Sequence, residues 1–153
     1  MGYVLRERKE ADKEYFLKSG IKSPLGGNPG FGHEVVECKE DNVKMIFIGG
    51  QGYMKEDGEE WSEMPRFSAF VWNENSYILE FYRHKKWNKY EGQIDKVNIK
   101  YKIKAVYSKE CTCEERQEFI EIAKKCLIAY GNGGSSTSVC ERVDFIETEV
   151  RWV

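Results

Sequence analysis

The residues of this chain that could do covalent or metal chemistry are five cysteines and two histidines. The closest pair is Cys111-Thr112-Cys113, which stands where the pattern predicts the start of a helix, a position that favours the thiolate form of cysteine. A lone C-x-C has neither the spacing of a C-x-x-C redox motif nor the four ligands of a zinc site. We therefore expect two small residues at a helix start rather than a redox or metal pair, and no metal ion.

Nucleophilic catalysis needs a base beside a serine or cysteine, and the two candidate bases are His33 and His84. His33 precedes Cys38 by five residues, a spacing that matches no family signature, and a pairing of the two stays open because distance in the fold is invisible here. His84 lies in the cationic run Arg83–Lys86, where like charge disfavours its protonated form and would suit a base. A small cytoplasmic enzyme with a Cys/His pocket is therefore one alternative function.

Two glycine-rich stretches, Gly26–Gly32 and Gly49–Gly52, have the composition of phosphate-binding loops. A phosphate loop needs a strand before it and a helix N-terminus after it, so that backbone N–H groups point at the anion. The first stretch follows a predicted helix and leads into a strand, and the second leads from a strand into a polar loop. Both are expected to be connecting loops, and no cofactor is expected.

Charge is segregated along the chain, although the formal net charge is only −2. The segment Met54–Glu63 has five carboxylates against one lysine, a local net charge of −4. The segment Tyr82–Lys104 has eight cations against two carboxylates, a local net charge of +6. Opposed patches of a single sign act on charged partners more than on the choice of fold.

The acidic segment predicts a partner-binding loop. Carboxylates around an exposed tryptophan mimic what a nuclease or another basic active site binds, and tryptophan is a preferred hot spot where its neighbours exclude water. Charge complementarity would also raise the association rate. The alternative is a solvated loop whose tryptophan is tucked into the core. The predicted partner-binding residues are Glu56, Asp57, Glu59, Glu60, Trp61 and Glu63.

The basic run Tyr82–Tyr90 interleaves aromatic residues with cations, which is the composition of a surface for single-stranded nucleic acid. It can also be a hairpin end with solvated lysines and one anchoring residue, Trp87. The acidic remainder of the chain and a pI near 5.8 argue against general nucleic-acid binding. A single-stranded nucleic-acid accessory module is therefore the second alternative function.

Length and composition predict one domain over residues 1–153, because 41% hydrophobic and 14% aromatic residues are enough for a core without disulfides. No apolar run approaches the roughly 18 residues of a membrane span. The sequence begins with charged residues rather than with the apolar stretch of a signal peptide. We expect a cytoplasmic protein with reduced thiols and no membrane partner.

The hydrophobic patterns predict two helices and about five to six strands. The helices are Arg6–Lys18, ending near Gly20, and a long one with an apolar stripe from Phe119 to Tyr130; the strands are Glu34–Lys39, Val43–Gly49, Phe67–Trp72, Tyr77–Tyr82, Val97–Tyr107 and Arg142–Val153. Residues 40–42 and 73–76 are predicted turns. Strands that follow one another without helices imply antiparallel pairing. The expected class is α+β, a mainly antiparallel sheet with an N-terminal helix and one long C-terminal helix packed on one of its faces.

Three finer expectations concern the second half of the chain. The strict alternation of Val97–Tyr107 predicts one apolar face and one wet, lysine-lined face. Thr112 and Glu115 predict a capping box at the start of the long helix, and Gly131 predicts its end. A slip in the apolar period at Phe145-Ile146 predicts a β-bulge in the last strand.

These features together resemble the immunity proteins of bacterial toxin–immunity systems, including those of contact-dependent growth inhibition. The resemblance is one of profile: a small α+β domain, no catalytic signature, many aromatic residues and a charged loop at Glu56–Glu63 suited to plugging a toxin. It implies a non-catalytic protein that binds one cognate toxin domain and blocks its active site, and it assigns no individual residues. The basic segment Tyr82–Lys104 departs from the simplest acidic-inhibitor pattern. Oligomeric state stays open, since the strand Arg142–Val153 could pair with a second copy.

Overall fold

The computed structural model describes residues 2–22, 28–50, 66–86, 89–90, 93–94, 97–108, 116–133 and 138–152. These residues form nine strands, two α-helices and one 3₁₀ turn. In chain order the elements are β1 (Val4–Glu7), α1 (Glu10–Lys18), the 3₁₀ turn (Pro29–Phe31), β2 (Glu34–Cys38), β3 (Val43–Gly50), β4 (Arg66–Trp72), β5 (Asn75–Lys86), β6 (Lys89–Tyr90), β7 (Gln93–Ile94), β8 (Val97–Ser108), α2 (Arg116–Gly133) and β9 (Ser138–Trp152).

Seven of the strands form one sheet in the order β1-β2-β3-β4-β5-β8-β9, and β6 pairs with β7 separately. The first six of the seven are antiparallel to their neighbours, whereas β9 runs parallel to β8. The parallel pair follows from connectivity, because α2 lies between β8 and β9 and carries the chain back to the end at which β8 began. The predicted α+β class, a mainly antiparallel sheet with an N-terminal and a long C-terminal helix, is confirmed.

The two helices cover opposite faces of the sheet, so the expectation that both pack on one face is wrong. On the α2 face, the apolar stripe of the long helix is buried as predicted, through Phe119, Ile122, Ala123, Cys126 and Leu127. On the α1 face, a second cluster is made by Phe16, Ile21, Val35, Ile46, Phe67, Ala69, Val71 and Ile78. Every residue of β4 from Phe67 to Trp72 is buried, and a strand that is apolar on both sides needs a cover on both.

A row of aromatic rings holds α2 on its face of the sheet. Tyr77 stacks on Phe70 with ring centroids 4.7 Å apart and meets Phe119 of α2 at 5.1 Å. Nearer the other end of the helix, Tyr130 stacks on Phe47 at 6.0 Å. Each such pair adds about 0.5–1.5 kcal/mol beyond the burial of its area, so the two contacts anchor both halves of α2.

The N-terminal helix begins at Glu10 and not at Arg6, because residues 4–7 pair with β2 as a strand. Arg6 then lies between the two elements and donates to Asp12 at 2.7 and 2.8 Å and to Glu37 at 2.8 Å. Asp12 also accepts the backbone N–H of Lys9 at 2.8 Å. The pKa of this buried Asp12 is held far below its ordinary value, chiefly by the hydrogen bonds from Arg6. This network locks α1 to the edge of the sheet.

The alternation of β8 is broken by a bulge, which corrects the predicted division into one apolar and one wet face. Glu80 is opposite Ala105 and Phe81 is opposite Ile103, which leaves Lys104 as the extra residue. Ile103 and Val106 therefore both belong to the cluster under α2, while Tyr107 packs with the cluster under α1. The bulge predicted in β9 is confirmed, since the pairing with β8 shifts directly after Phe145.

The sheet has a turn end and an extended end, which differ in the segments that lie there. At the turn end are the connection 39–42 between β2 and β3 and the hairpin at residues 73–74 between β4 and β5. At the opposite, extended end β3 stops at Gly50 and β4 begins at Arg66, while β5 and β8 run five register pairs further, from Tyr82↔Lys102 to Lys86↔Asn98. Those extra residues of β5 and β8, together with Lys104, are called the basic extension.

Two further details of α2 bear on its predicted boundaries. The helix continues through Gly131 to Gly133, so the predicted end at Gly131 is wrong. Gly131 is buried, and its lack of a side chain does not stop the last turn from forming. The predicted capping residues Thr112 and Glu115 lie outside the described residues.

The predicted hairpin between β4 and β5 is confirmed, with a turn of residues 73–74 instead of 73–76, and it supplies a first prediction. Asn73 and Glu74 have φ of 47° and 68°, the positive values that a type I′ turn requires at both positions. Glu74→Gly should stabilise the protein by about 0.5–1 kcal/mol, since glycine adopts this backbone region without the steric cost of a Cβ. Urea unfolding measures the change. Glu74→Ala is the matched control: it removes the same carboxylate but keeps the Cβ, and an equal gain for alanine would assign the effect to charge.

The Arg6–Asp12 pair supplies a second prediction. Asp12→Asn should lower the free energy of unfolding at neutral pH by about 2–3 kcal/mol, because the charged hydrogen bonds to Arg6 are weakened. Since the pKa of Asp12 is depressed in the folded state, its stabilisation is full above the ordinary value of 3.8 and is lost as the pH falls below it. Denaturant midpoints between neutral and acidic pH should therefore converge for wild type and variant. Glu10→Gln, on the exposed first turn of α1, is the control, and its free energy of unfolding should differ little from that of wild type at every pH.

Candidate functional site

An acidic groove lies at the turn end of the sheet, between α2 and the two turns. Its volume is about 460 Å³. Four carboxylates and no cation are among its lining residues, which are Glu40, Asp41, Trp72, Asn73, Gln117, Glu118, Glu121 and Ile122. The lining of the groove is therefore rich in carboxylates.

The two turns that form one wall of the groove are tied to each other. Asn73 donates its backbone N–H to the carbonyl of Asn42 at 3.1 Å, and the two side-chain amides meet at 3.4 Å. Asn42, with φ of 49°, occupies the left-handed region that asparagine tolerates better than most residues. This contact holds Glu40 and Asp41, which precede Asn42, beside the β4–β5 hairpin.

The floor and the second wall come from aromatic packing under α2. Trp72 is buried to 8% exposure and its indole lies 6.4 Å from the ring of Tyr77, which in turn contacts Phe119. One turn of α2 therefore stands over the indole, with Glu118 and Glu121 exposed and Ile122 buried. The groove thus has an apolar floor and a rim of carboxylates, and the positions of both follow from the core.

Two of the rim carboxylates have polar partners inside the protein. Asp41 accepts a 2.6 Å hydrogen bond from the hydroxyl of Tyr3 and lies 3.8 Å from the ammonium of Lys125. Burial, together with this hydrogen bond to Asp41, raises the pKa of the Tyr3 phenol. Glu40 accepts from the thiol of Cys38 at 3.2 Å. These contacts orient the wall made by the β2–β3 turn.

The residues of the groove are suited to binding a partner rather than to catalysing a reaction. Carboxylates accept hydrogen bonds from lysine and arginine, and an indole attracts a cation placed over its ring. A cationic side chain that reaches Trp72 between Asp41 and Glu118 would meet both kinds of contact. The arrangement is therefore suited to a positively charged protein surface.

The residues that the sequence predicted for partner binding are Glu56, Asp57, Glu59, Glu60, Trp61 and Glu63, and they lie outside the described residues. The described residues that flank this segment, Gly50 and Arg66, are register partners at the extended end of the sheet. The groove is thus an acidic region that the sequence analysis did not predict. Its floor residue Trp72 also packs in the core.

Sequence reasoning missed the groove because its carboxylates come from two distant segments. Glu40 and Asp41 belong to a predicted turn, and Glu118 and Glu121 are on the long helix, outside its predicted apolar stripe. One signal was present: the two glutamates are spaced i, i+3, which places them on one stripe of α2 beside Ile122. Nothing in the sequence says that this stripe faces the β2–β3 turn.

The candidate catalytic residues are not brought together by the described part of the structure. His33 is exposed and precedes β2, whereas Cys38 is buried under α2 at the other end of that strand. Burial raises the pKa of the Cys38 thiol and also that of the Cys126 thiol, which disfavours the thiolate that a nucleophile needs. Cys111 and Cys113 lie outside the described residues. The backbone of His84 lies opposite that of Lys100 in β8.

Neither metal-binding nor membrane-spanning features occur within the described ranges. No group of three or more His, Cys, Asp and Glu residues there could hold a metal ion. No helix there is both long enough and apolar enough to cross a membrane.

Comparisons with protein-family models, with curated proteins and with solved structures found no match.

The burial of the two thiols supplies a third prediction. In the folded protein at mildly alkaline pH, Cys38 and Cys126 should react with iodoacetamide at least about tenfold more slowly than in denaturant, because little thiolate forms. Peptide mapping by mass spectrometry follows each cysteine separately. The unfolded chain is the internal control for intrinsic reactivity. Fast modification of Cys38 without unfolding would restore the Cys/His pocket as a catalytic candidate.

Proposed function

We propose that this protein is a non-catalytic interaction protein of the immunity type, which works in the cytoplasm and neutralises a basic, nuclease-like toxin domain by binding to it. The observation that carries the proposal is the acidic groove, where four carboxylates surround an indole floor at the turn end of the sheet. An inhibitor of a basic active site needs a negative surface. The groove supplies one, with the indole of Trp72 at its floor.

Rigidity supports this proposal because it reduces the entropy lost on binding. The groove is built from α2 and from two short turns that hydrogen-bond to each other through Asn42 and Asn73. Its floor residue Trp72 is part of the main aromatic cluster. A partner would therefore find the carboxylates already in place.

Charge supports it as well, through the kinetics of association. Four carboxylates within one groove create a local negative potential although the whole chain carries only −2. Complementary charge steers encounter and can raise association rate constants by orders of magnitude at low salt. Fast capture suits a protein that must stop a toxin before it acts.

The predicted loop residues Glu56, Asp57, Glu59, Glu60, Trp61 and Glu63 remain a second proposed contact. We propose the groove as the primary contact, because its carboxylates are carried by α2 and by two turns that hydrogen-bond to each other, and its floor residue Trp72 belongs to the core.

Charge reversal tests the groove. Wild-type protein and the variant Glu118→Lys/Glu121→Lys are compared as baits in a lysate of the source cell, and each retained protein is purified and titrated by calorimetry. The expected partner is basic, has an activity that the wild-type protein inhibits at equal stoichiometry, and loses roughly 100-fold in affinity to the variant. Both glutamates are exposed on α2, so the variant should fold normally.

Two further variants make the result specific. Glu10→Lys/Glu14→Lys changes charge by the same amount on exposed positions of α1 and should leave affinity within a few-fold. Glu59→Lys/Glu60→Lys tests the loop: if it abolishes binding while the groove variant does not, the loop is the contact and the groove is wrong. A partner that binds tightly but keeps its full activity would contradict the immunity role.

A further inference from the structure

The basic extension carries most of its cations on one face of the sheet. Ile78 belongs to the cluster under α1, and positions two apart on a strand share a face, so Glu80 and Tyr82 lie on the α1 face too. The register places Lys102 opposite Tyr82 and Lys100 opposite His84. By register and alternation the extension assigns to this face Tyr82, His84, Lys86, Asn98, Lys100 and Lys102.

Lys104 adds a further cation to the same place, because it is two residues from Lys102 on β8. The ammonium of Lys102 lies 5.4 Å from the centroid of the Tyr82 ring, and that of Lys104 lies 5.7 Å from it. The bulge after Lys104 brings Ala105 to the same face, opposite Glu80. Tyr82, which is half-buried, is thus an aromatic platform bordered by two ammonium groups.

A buried carboxylate with an unsatisfied oxygen lies next to this platform. Glu80 is two residues before Tyr82 on the same face and is 8% exposed. Its Oε2 has no hydrogen-bond partner among the residues that the structure describes. A buried acceptor without a partner is costly, and native proteins keep such groups mainly where a ligand or function uses them.

We propose that this face binds single-stranded nucleic acid, with one base read by Glu80. The base stacks on Tyr82, as bases do on aromatic platforms, and the ammonium groups around the ring contact the phosphates. Glu80 accepts a hydrogen bond from the amino group of the base, which is how a carboxylate recognises cytosine. Along β8, alternate residues repeat roughly every 6.6 Å, a spacing similar to that of successive phosphates in an extended strand.

Glu80 is also what favours a nucleic acid over an acidic protein. An acidic peptide would bring its carboxylates to the lysines, but aspartate and glutamate side chains have no planar ring to stack on Tyr82 and no amino group to donate to Glu80. A nucleic acid offers both anionic phosphates and neutral N–H donors on its bases. The site is at the extended end of the sheet, away from the acidic groove, so it does not rest on the proposed function.

Fluorescence anisotropy with labelled oligo(dC) and oligo(dT) of equal length tests the proposal. Both should bind, with log K falling against log salt concentration with a slope of at least about −1.4, since Lys102 and Lys104 meet phosphates. Oligo(dC) should bind about tenfold more tightly than oligo(dT), because thymine has no exocyclic amino group. Failure of both oligonucleotides to bind at low salt would overturn the proposal.

Four variants separate the contributions of the face. Tyr82→Ala should weaken binding of both oligonucleotides about tenfold, and Tyr82→Phe, which keeps the ring, should restore it. Lys102→Ala/Lys104→Ala should reduce the steepness of the salt slope by about 1.4. Glu80→Gln, which is nearly isosteric, should leave oligo(dT) binding in place and remove the preference for oligo(dC).

The control and the competing partner complete the experiment. Lys18→Ala/Lys39→Ala removes two exposed lysines outside the extension and should change neither affinity nor slope. A poly-glutamate peptide of matched charge is the competing ligand. If it binds as tightly as oligo(dC), with the same losses in the lysine variants, the face serves an acidic protein and the nucleic-acid proposal is wrong.

Discussion

The packing of α2 across the aromatic row of the sheet is the interaction on which the other features depend. Tyr77 contacts both Phe70 in the sheet and Phe119 in the helix, so the first half of α2 can rest only over the turn end. That position makes β9 return parallel to β8, and it sets Glu118 and Glu121 opposite the β2–β3 turn. The groove therefore exists because a hydrophobic contact places charged residues, which have no attraction for one another.

The opposite signs of the two ends of the sheet are the second organising feature. The turn end gathers carboxylates from α2 and from a turn, whereas the extended end gathers lysines by strand alternation. Because the sheet separates the two ends, each can keep its own local potential under physiological salt, where screening acts over about 8 Å. A protein whose net charge is close to zero can in this way present separate surfaces to partners of opposite charge.

Sequence patterns predicted an element correctly where residues close together in the chain determine it. The hairpin predicted around residues 73–76 and the apolar stripe of α2 are local, and both form, although the turn itself is shorter, at Asn73-Glu74. The start of α1 was predicted wrongly. Residues 6–7 fit a helical pattern in the sequence, but they pair with β2 as a strand, and the Arg6 side chain donates to Asp12. The packing of α1 on its own face of the sheet also depends on residues far away in the sequence. Phe16 is buried because β3 and β4 are apolar on that face too.

By itself, the sequence determined the α+β class, most strand boundaries, the long helix and the presence of strongly charged segments, since these depend on residue type and on periods of two or 3.6. Only the tertiary structure decided which charges meet. Glu40 and Glu121 are far apart along the chain, and they share a groove because turns and helix pack on the same core. Ile103 and Val106 are three residues apart and are both buried under α2, because one extra residue in β8 shifts the register, and register is a property of paired strands rather than of a single segment.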